Sequence, residues 1–531
     1  MTAASRSLPW CGLPLVLSVF AATYSPAWAE EPAASAPQSL DILEYRIEGA
    51  HVLPTEEIEE AVYPFLGPGK NSNDVEAARA ALEKAYGAKG YQTVAVEIPQ
   101  QQVKDGVVTL KVVEGKVGRL RVKGSQYYDI EAVKDQAPSL AEGTVPDFNA
   151  VSKDIVALNQ LPDRKVTPSL RAGTTPGTVD VDLTVEDKLP VHGNLELNNR
   201  YSANTTDLRL NGMIRYDNLW QLGHSLSVSY QVAPENTKDA QVFSASYLAR
   251  IPGWDKLSVL LYGVNQDSDV NSLGSMDVAG RGQVIGSRAV ITLPGEEDFF
   301  HTLSAGIDYK HFQEAVSLGG GGYQTPITYY PLTATWSGTW QGASALTQAN
   351  AGVTFHMRGM GSEPSFWDDK RYKAQGDFLY FRGDLSRTQE LPEGLQLFGK
   401  MQGQLANAPL ISNEQLSAGG LDTVRGYLES EVLGDSGGIL SAELRGPSLS
   451  RWLGDAVDWR AYMFAEGGLL AIHDPSQEQT SSFSLASYGV GTRGRLLDYL
   501  NGSLDLAVPM IKQSSTRAYD PRLTFRAWTE F

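Results

Sequence analysis

The sequence predicts an all-β membrane barrel of about 16 antiparallel strands, preceded by two small α/β domains. Three observations carry this expectation. The chain opens with an export signal. A short plan of strands and helices then occurs twice in succession. The long second half is rich in Gly, Tyr, Trp and Ser and breaks into many short segments that alternate apolar and polar residues.

Arg6 is the only charge before Glu30. An apolar run from Leu8 to Ala22 leads to Ala27-Trp28-Ala29, a small-x-small cleavage pattern, so residues 1–29 read as a secretory signal peptide that is removed. The run is short for a helix retained in the membrane. Cys11, the only cysteine, sits near the start of this run, which argues against a lipoprotein site. The mature chain then has neither disulfides nor thiolate metal ligands. The chain carries 44 Lys and Arg against 62 Asp and Glu, a net charge of −18, which argues against nucleic acid as a partner. No mature stretch holds enough consecutive apolar residues for a spanning helix.

Residues 30–40 form a short linker in which Pro32 and Pro37 break any helix longer than about a turn. Two α/β units are expected over 41–115 and 116–188. The first begins with strand Leu43–Ile47, ended by Glu48-Gly49. Two helices follow, then strands near 94–96 and 107–112. Its second helix is expected to be capped at Asn73-Asp74, to carry Val75, Ala78, Leu82 and Tyr86 at helical spacing, and to end at Gly90. The second unit repeats the order, with a strand at Leu120–Val122, a helix over about 147–159, and strands near 166–172 and 179–185.

The barrel is expected over 189–531. In the segment 225–232, Leu226, Val228, Tyr230 and Val232 alternate with polar residues. Leu208, Leu210, Ile214 and Tyr216 alternate with Arg209, Asn211, Arg215 and Asp217; Leu504, Leu506 and Val508 alternate with Ser503, Asp505 and Ala507. Residues i and i+2 share a strand face, so a face bearing Arg209, Arg215 and Asp217 must meet water. Alternation by itself does not separate a membrane barrel, polar inside, from a soluble sandwich, polar outside. The export signal and the terminal Phe531, on a last strand that places Leu523, Phe525 and Ala527 on one face, favour the barrel. Turns are expected at Asp217-Asn218, Pro234-Glu235-Asn236, Pro252-Gly253 and Pro294-Gly295. A barrel of this size leaves an aqueous lumen unless something fills it.

Two short motifs stand out within the barrel. Val424-Arg425-Gly426-Tyr427 follows Gly419-Gly420-Leu421-Asp422, a stretch able to turn sharply. Tyr462-Met463-Phe464-Ala465-Glu466-Gly467-Gly468 lies further on, in an alternating segment. An arginine offers a fixed fork of donors that suits a carboxylate. Arg425 and Glu466 could therefore pair in a confined lumen, or could be a solvated loop residue and an ordinary lumen charge.

With both motifs in order, the chain resembles the TpsB transporters of two-partner secretion, of the FhaC, ShlB and HecB kind, within the BamA superfamily. The resemblance covers essentially the whole mature chain. The two repeats look like POTRA domains, and Asn159-Gln160-Leu161-Pro162-Asp163-Arg164 is similar to a segment of the family's second POTRA. Val424–Tyr427 matches the V-R-G-F/Y motif of the superfamily's sixth extracellular loop. Tyr462, Phe464, Glu466 and Gly468 match the partner motif F-x-F-x-D-x-G, with Glu466 standing where Asp is usual. The aromatic terminal Phe531 resembles the assembly signal of outer-membrane proteins. The resemblance implies that the loop folds back into the lumen and that Arg425 pairs with Glu466.

It also implies export of one partner exoprotein, an adhesin or haemolysin, from the periplasm to the cell surface. POTRA strand edges would accept the client by β-augmentation, and the client would thread the lumen unfolded. Two other functions stay open: insertion of other outer-membrane proteins, and passive diffusion. Outer-membrane lipids and, during biogenesis, the barrel-assembly machinery are expected partners. Many family members carry an N-terminal helical plug. Residues 30–40 are too few for a helix across a ~30 Å core, which takes about 20 residues, so closure by the loop of Val424–Tyr427 is expected instead.

Other patterns carry less. Gly489-Val490-Gly491-Thr492-Arg493-Gly494 fits G-x-G-x-x-G but has no helix after it. Gly319 to Gly322 lack the lysine and hydroxyl of a phosphate loop and read as a loop between strands. The seven histidines show no zinc-protease spacing, and no nucleophile elbow occurs. No catalytic residue, metal site or cofactor is expected, and so no enzyme.

Overall fold

The computed structural model describes residues 39–531 except 252, 255, 269–280, 297, 319–320, 451–453, 455, 478 and 498. The expected signal peptide, its cleavage site, Cys11, the linker as far as residue 38 and Gly319-Gly320 lie outside the described residues. The chain divides into two compact units, one ending at Gly115 and one running from Lys116 to Phe531.

In the first unit, the strand Val107–Glu114 is central. Glu44–Glu48 runs parallel to it on one side and Val94–Glu97 antiparallel on the other. Helices Thr55–Val62 and Ser72–Ala88 complete the plan, and the latter buries Val75, Ala78, Leu82 and Tyr86 as the spacing implies. Its cap is Asn71, two residues before the expected Asn73. The Asn71 side chain accepts the Asn73 N–H at 2.8 Å, while Asp74 reaches back to accept the Asn71 N–H at 2.8 Å. Asp74 therefore serves as the rear half of a capping box rather than as the cap itself. A small pairing of Leu40–Ile42 with Gly67–Lys70, which the sequence pattern did not suggest, adds a second sheet.

The second unit begins with the repeated plan. Thr178–Asp187 is central, with Lys116–Lys123 parallel to it and Arg164–Ala172 antiparallel. Helix Phe148–Leu158 is capped by Asp147, whose carboxylate accepts the Asn149 N–H at 2.9 Å. A further helix of six residues, Ile130–Asp135, is too short to show a periodic signal. Val133, Leu140, Leu158, Val181 and Leu183 form the core between helices and sheet.

From Val191 the same unit becomes a closed antiparallel barrel of sixteen strands. Gly321–Tyr329 and Leu332–Gly342 are two halves of one strand, both paired to the long Phe299–Leu318. The barrel closes where Val191–Asn198 meets Arg522–Glu530. Phe531 continues that seam: its N–H and carbonyl exchange hydrogen bonds with Gly193 at 3.1 and 3.0 Å. Its ring lies over Gly193, where any Cβ would collide with it.

The structure separates barrel from sandwich. Leu195, Leu197, Ile214, Leu226, Val228, Ile285, Ile307, Phe381, Leu440, Met463 and Leu506 are exposed around the outside. Their polar neighbours Glu196, Asn198, Asp308, Gln404, Glu443, Glu466 and Asp505 are buried inside. Only a lipid surround makes that arrangement favourable. Turns at the end nearest the α/β plan are short, as at 219–224 and 342–345; those at the other end, such as 356–378 and 406–436, are long. One expected turn moves. Asp217 and Asn218 lie in the strand Arg209–Leu219, and the chain reverses instead at Trp220 and Gln221, both at positive φ (62° and 59°). The Asn218 carboxamide accepts the Gly223 N–H and donates to Gln221, so the expected turn former closes the turn from inside the strand.

Candidate functional site: a loop folded into the barrel lumen

The segment 407–435 leaves strand Gln396–Ala406 and turns inward before rejoining the wall at Ser436–Arg445. A hairpin of Leu416–Ala418 with Val432–Gly434 forms its base. Residues 413–420 and 424–429 are all buried. Leu416, Val424, Tyr427 and Val432 pack on Ile439, Leu470 and Leu485 of the wall. The loop is thus a wedge with its own apolar contact to the wall.

Tight backbone at the tip places Arg425. Gly426 has φ +92°, in a region costly for other residues, and a Cβ there would come within 3.2 Å of Ala507. The Tyr427 hydroxyl donates to the carbonyls of Ile511, at 2.8 Å, and Ala486, at 3.0 Å.

The Arg425 guanidinium then meets three carboxylates. Nη2 lies 2.5 Å from Glu466 Oε1 and 2.8 Å from Glu443 Oε1, and Nη1 lies 2.9 Å from Asp505 Oδ1. The Arg425 backbone N–H also donates to Glu466 Oε2 at 2.6 Å. The guanidinium carbon sits 3.5 Å from the centre of the Phe464 ring, where cation and π-face attract. Arg445 and Arg493 each reach Glu443 at 2.8 Å. Three guanidinium groups therefore face three carboxylates, and the site is balanced. Arg425 is only 4% exposed, which excludes a solvated loop residue. Glu466, one methylene longer than aspartate, uses its reach to hold backbone and side chain of Arg425 and the Ser441 hydroxyl at once.

The glycine pattern at 489–494 has its place here. Gly489 lies opposite Phe464 and Gly491 opposite Tyr462 on the adjoining strand. A Cβ at either would come within 2.5 Å of the facing ring. These glycines lie within the strand Ser482–Leu496 and make room for the aromatic residues that cradle Arg425.

A family model described as haemolysin secretion/activation protein ShlB/FhaC/HecB matches residues 177–494. The chain belongs to that family. A second model, the ShlB-type POTRA domain, matches residues 40–115. The protein is thus a transporter of the two-partner secretion type, set in the outer membrane with its N-terminal POTRA region in the periplasm. The outer membrane transporter CdiB of Dickeya dadantii is 22% identical over 443 residues, covering 82% of this chain and 76% of that one. The heme/hemopexin transporter protein HuxB of Haemophilus influenzae is 21% identical over 408 residues, covering 74% and 69%. Among solved structures, CdiB from Escherichia coli superposes with a TM-score of 0.63 at 21% identity, over 95% of this chain and 92% of that one. BamA from Haemophilus ducreyi lacking POTRA domains 1–3 gives 0.57 at 15% identity, over 92% and 100%.

Several residues of the transporter's lumen site carry no motif. Glu443, Arg445 and Arg493 lie on the two strands flanking the Tyr462–Gly468 segment and Asp505 on the strand beyond; what marks them in the sequence is charge on the polar face of an alternating segment. Arg200, beyond the first barrel strand, ties the loop from another side: its guanidinium reaches Glu429 at 2.8 Å and Asp422 at 2.7 Å. Glu414, at the loop's base, meets Lys310 Nζ and the Tyr329 hydroxyl at 2.6 Å and the Tyr380 hydroxyl at 2.8 Å.

The segment Asn159–Arg164 lies apart from the lumen, where the α/β plan meets the barrel. The Asn159 carboxamide exchanges two hydrogen bonds with Val166 backbone, and Arg164 donates to the Leu158 carbonyl while lying over the Tyr128 ring. Leu161 is buried beside Gly223 of the first turn, Pro162 is exposed, and Asp163 faces His192 at 2.8 Å.

Proposed function

We propose that this transporter exports one partner polypeptide, an adhesin-like or haemolysin-like exoprotein, from periplasm to cell surface. On this reading the second α/β unit, 116–188, acts as a second POTRA domain in addition to that of 41–115. The observation that carries the reading is the inward wedge of 407–435, anchored through Arg425 to Glu443, Glu466 and Asp505. A passive pore has no use for a filled lumen, whereas a transporter for an occasional large client needs a closed resting state and a closure that can be released.

The proposed sequence of events follows from the chemistry available. An extended client segment adds to a free POTRA strand edge, such as Arg164–Ala172, through backbone hydrogen bonds. Its entry displaces the loop, and the Arg425 site opens as a unit because its charges balance only together. Folding at the surface prevents return and supplies the drive. A cargo connected with heme or hemopexin, which the name of HuxB mentions, and the client of a CdiB-type transporter are candidate cargo classes.

The test is deletion of the gene followed by comparison of surface and secreted proteins. Loss of one large exoprotein, with other outer-membrane proteins at normal levels, is expected. A general fall in outer-membrane proteins would instead identify an insertion factor. An unchanged secreted set would overturn the export reading.

A further inference from the structure

Asp163, His192 and Asp217 come from three separate elements: the α/β plan just before strand Arg164–Ala172, the first barrel strand and the second barrel strand. His192 Nε2 lies 2.8 Å from Asp163 Oδ2 and 3.4 Å from Asp217 Oδ2. All three donor atoms fall within 4.8 Å of one another. Both carboxylates are buried, and the imidazole is 30% exposed. We propose that these three side chains bind one Zn2+ ion, which joins the second α/β unit to the first two strands of the barrel.

The donor set selects the ion class. Calcium and magnesium prefer shells made of oxygen, whereas an imidazole nitrogen with two carboxylates suits zinc. Bonds of about 2.1 Å in a tetrahedral site place donors roughly 3.4 Å apart. The His192–Asp217 separation already has that value, and the His192–Asp163 pair, at 2.8 Å, is about 0.6 Å closer than a tetrahedral shell places two donors. The partly exposed imidazole leaves a fourth position open to water.

Charge points the same way. Without a metal, one Nε2–H faces two buried carboxylates, and a single hydrogen cannot be donated fully to both. Arg215 Nε holds Asp217 Oδ2 at 2.8 Å, yet its guanidinium is 41% exposed and can withdraw into water. With the imidazole neutral and Arg215 turned into water, Asp163 and Asp217 carry two negative charges, which one divalent cation balances. No metal site was expected from the sequence, whose histidines lack zinc-protease spacing, and these three ligands share no short spacing along the chain. The fold brings them together where Leu161 already packs beside Gly223 and where Gln221 accepts the Asp129 N–H and donates to the Tyr127 carbonyl.

The test uses the untagged full chain in detergent, stripped with a chelator and titrated with Zn2+ against a competing zinc indicator. One zinc per chain and a rise in melting temperature with added Zn2+ are expected. His192→Ala and Asp163→Asn should each weaken binding at least ~10-fold, and His51→Ala should leave it unchanged. Absence of stoichiometric binding by the unaltered protein overturns the proposal without any variant. Full-affinity binding by His192→Ala overturns it equally.

Discussion

Arg425 sits among three carboxylates, so its removal affects more than one contact. In Arg425→Ala, Glu466 and Asp505 lose their guanidinium partner, while Glu443 keeps Arg445 and Arg493. Breaking a buried ion pair by deleting one partner costs about 3–5 kcal/mol, enough to unseat the loop. Client secretion should fall by at least tenfold, while the barrel still migrates as a folded, heat-modifiable band; normal secretion would remove the role assigned to this residue. Glu466→Ala should behave alike. Glu466→Asp keeps the charge and should be milder, because only the reach to the Arg425 N–H and Ser441 is shortened.

A second residue-scale prediction concerns Tyr128. Burial, then the nearby charge of Asp163, pushes its phenol up to about 12, against about 10 when unfolded. The folded state therefore disfavours the phenolate. The resulting stability is fully present below pH about 10 and is lost as pH rises toward about 12. Hydrogen exchange over 116–187 should accelerate across that window. Tyr128→Phe should lessen the acceleration and be benign at neutral pH, since the buried hydroxyl has no hydrogen-bond partner to lose among the described residues. An identical alkaline profile in the phenylalanine variant would show that another group governs it.

At the scale of the element, the loop is a wedge with several separate fastenings besides Glu414 at its base. Arg200 holds its tip from the first external loop, Arg425 holds it to the wall, and Glu431 accepts hydrogen bonds from Ser515 and Thr516 of the last external loop. Excision of residues 413–429 removes all of these but that of Glu431, together with the apolar contact of Leu416, Val424 and Tyr427. Conductance across a planar bilayer should then rise well above the resting level of the intact protein. An unchanged conductance would mean that another segment closes the lumen. Gly426→Ala should act in the same direction but less strongly, because a residue held at positive φ costs roughly 1–2 kcal/mol.

At the scale of the whole molecule, the exposed apolar band and the buried charges are stable only in lipid. The protein should fractionate with outer membranes and resist extraction by salt. Recovery in the soluble periplasmic fraction would contradict a barrel that exposes Leu195, Ile214, Phe381 and Met463 together. The same inversion explains how a chain of net charge −18 holds many of its charges inside: a lumen is lined by side chains that pair with one another, as Arg288 does with Asp308 and Arg526 with Glu196.

Local regularity made part of this architecture legible in the residues alone. That Val424–Tyr427 and Tyr462–Gly468 are two pieces of one site was implied by the family resemblance; period-two alternation marked the strands, and helical spacing marked Val75 to Tyr86. Such signals lie within a few residues of one another and depend on backbone geometry. The tertiary structure decided whatever required distant residues to meet. Glu443 and Asp505 join Arg425 because neighbouring strands aim alternate side chains inward at the same height. Gly489 and Gly491 gain meaning only opposite Phe464 and Tyr462. Asp163, His192 and Asp217 are unrelated along the chain, and the closure of the barrel beside the second α/β unit places them together. A sequence records the face on which a side chain lies; the register between strands, set by the whole closed sheet, determines what it touches.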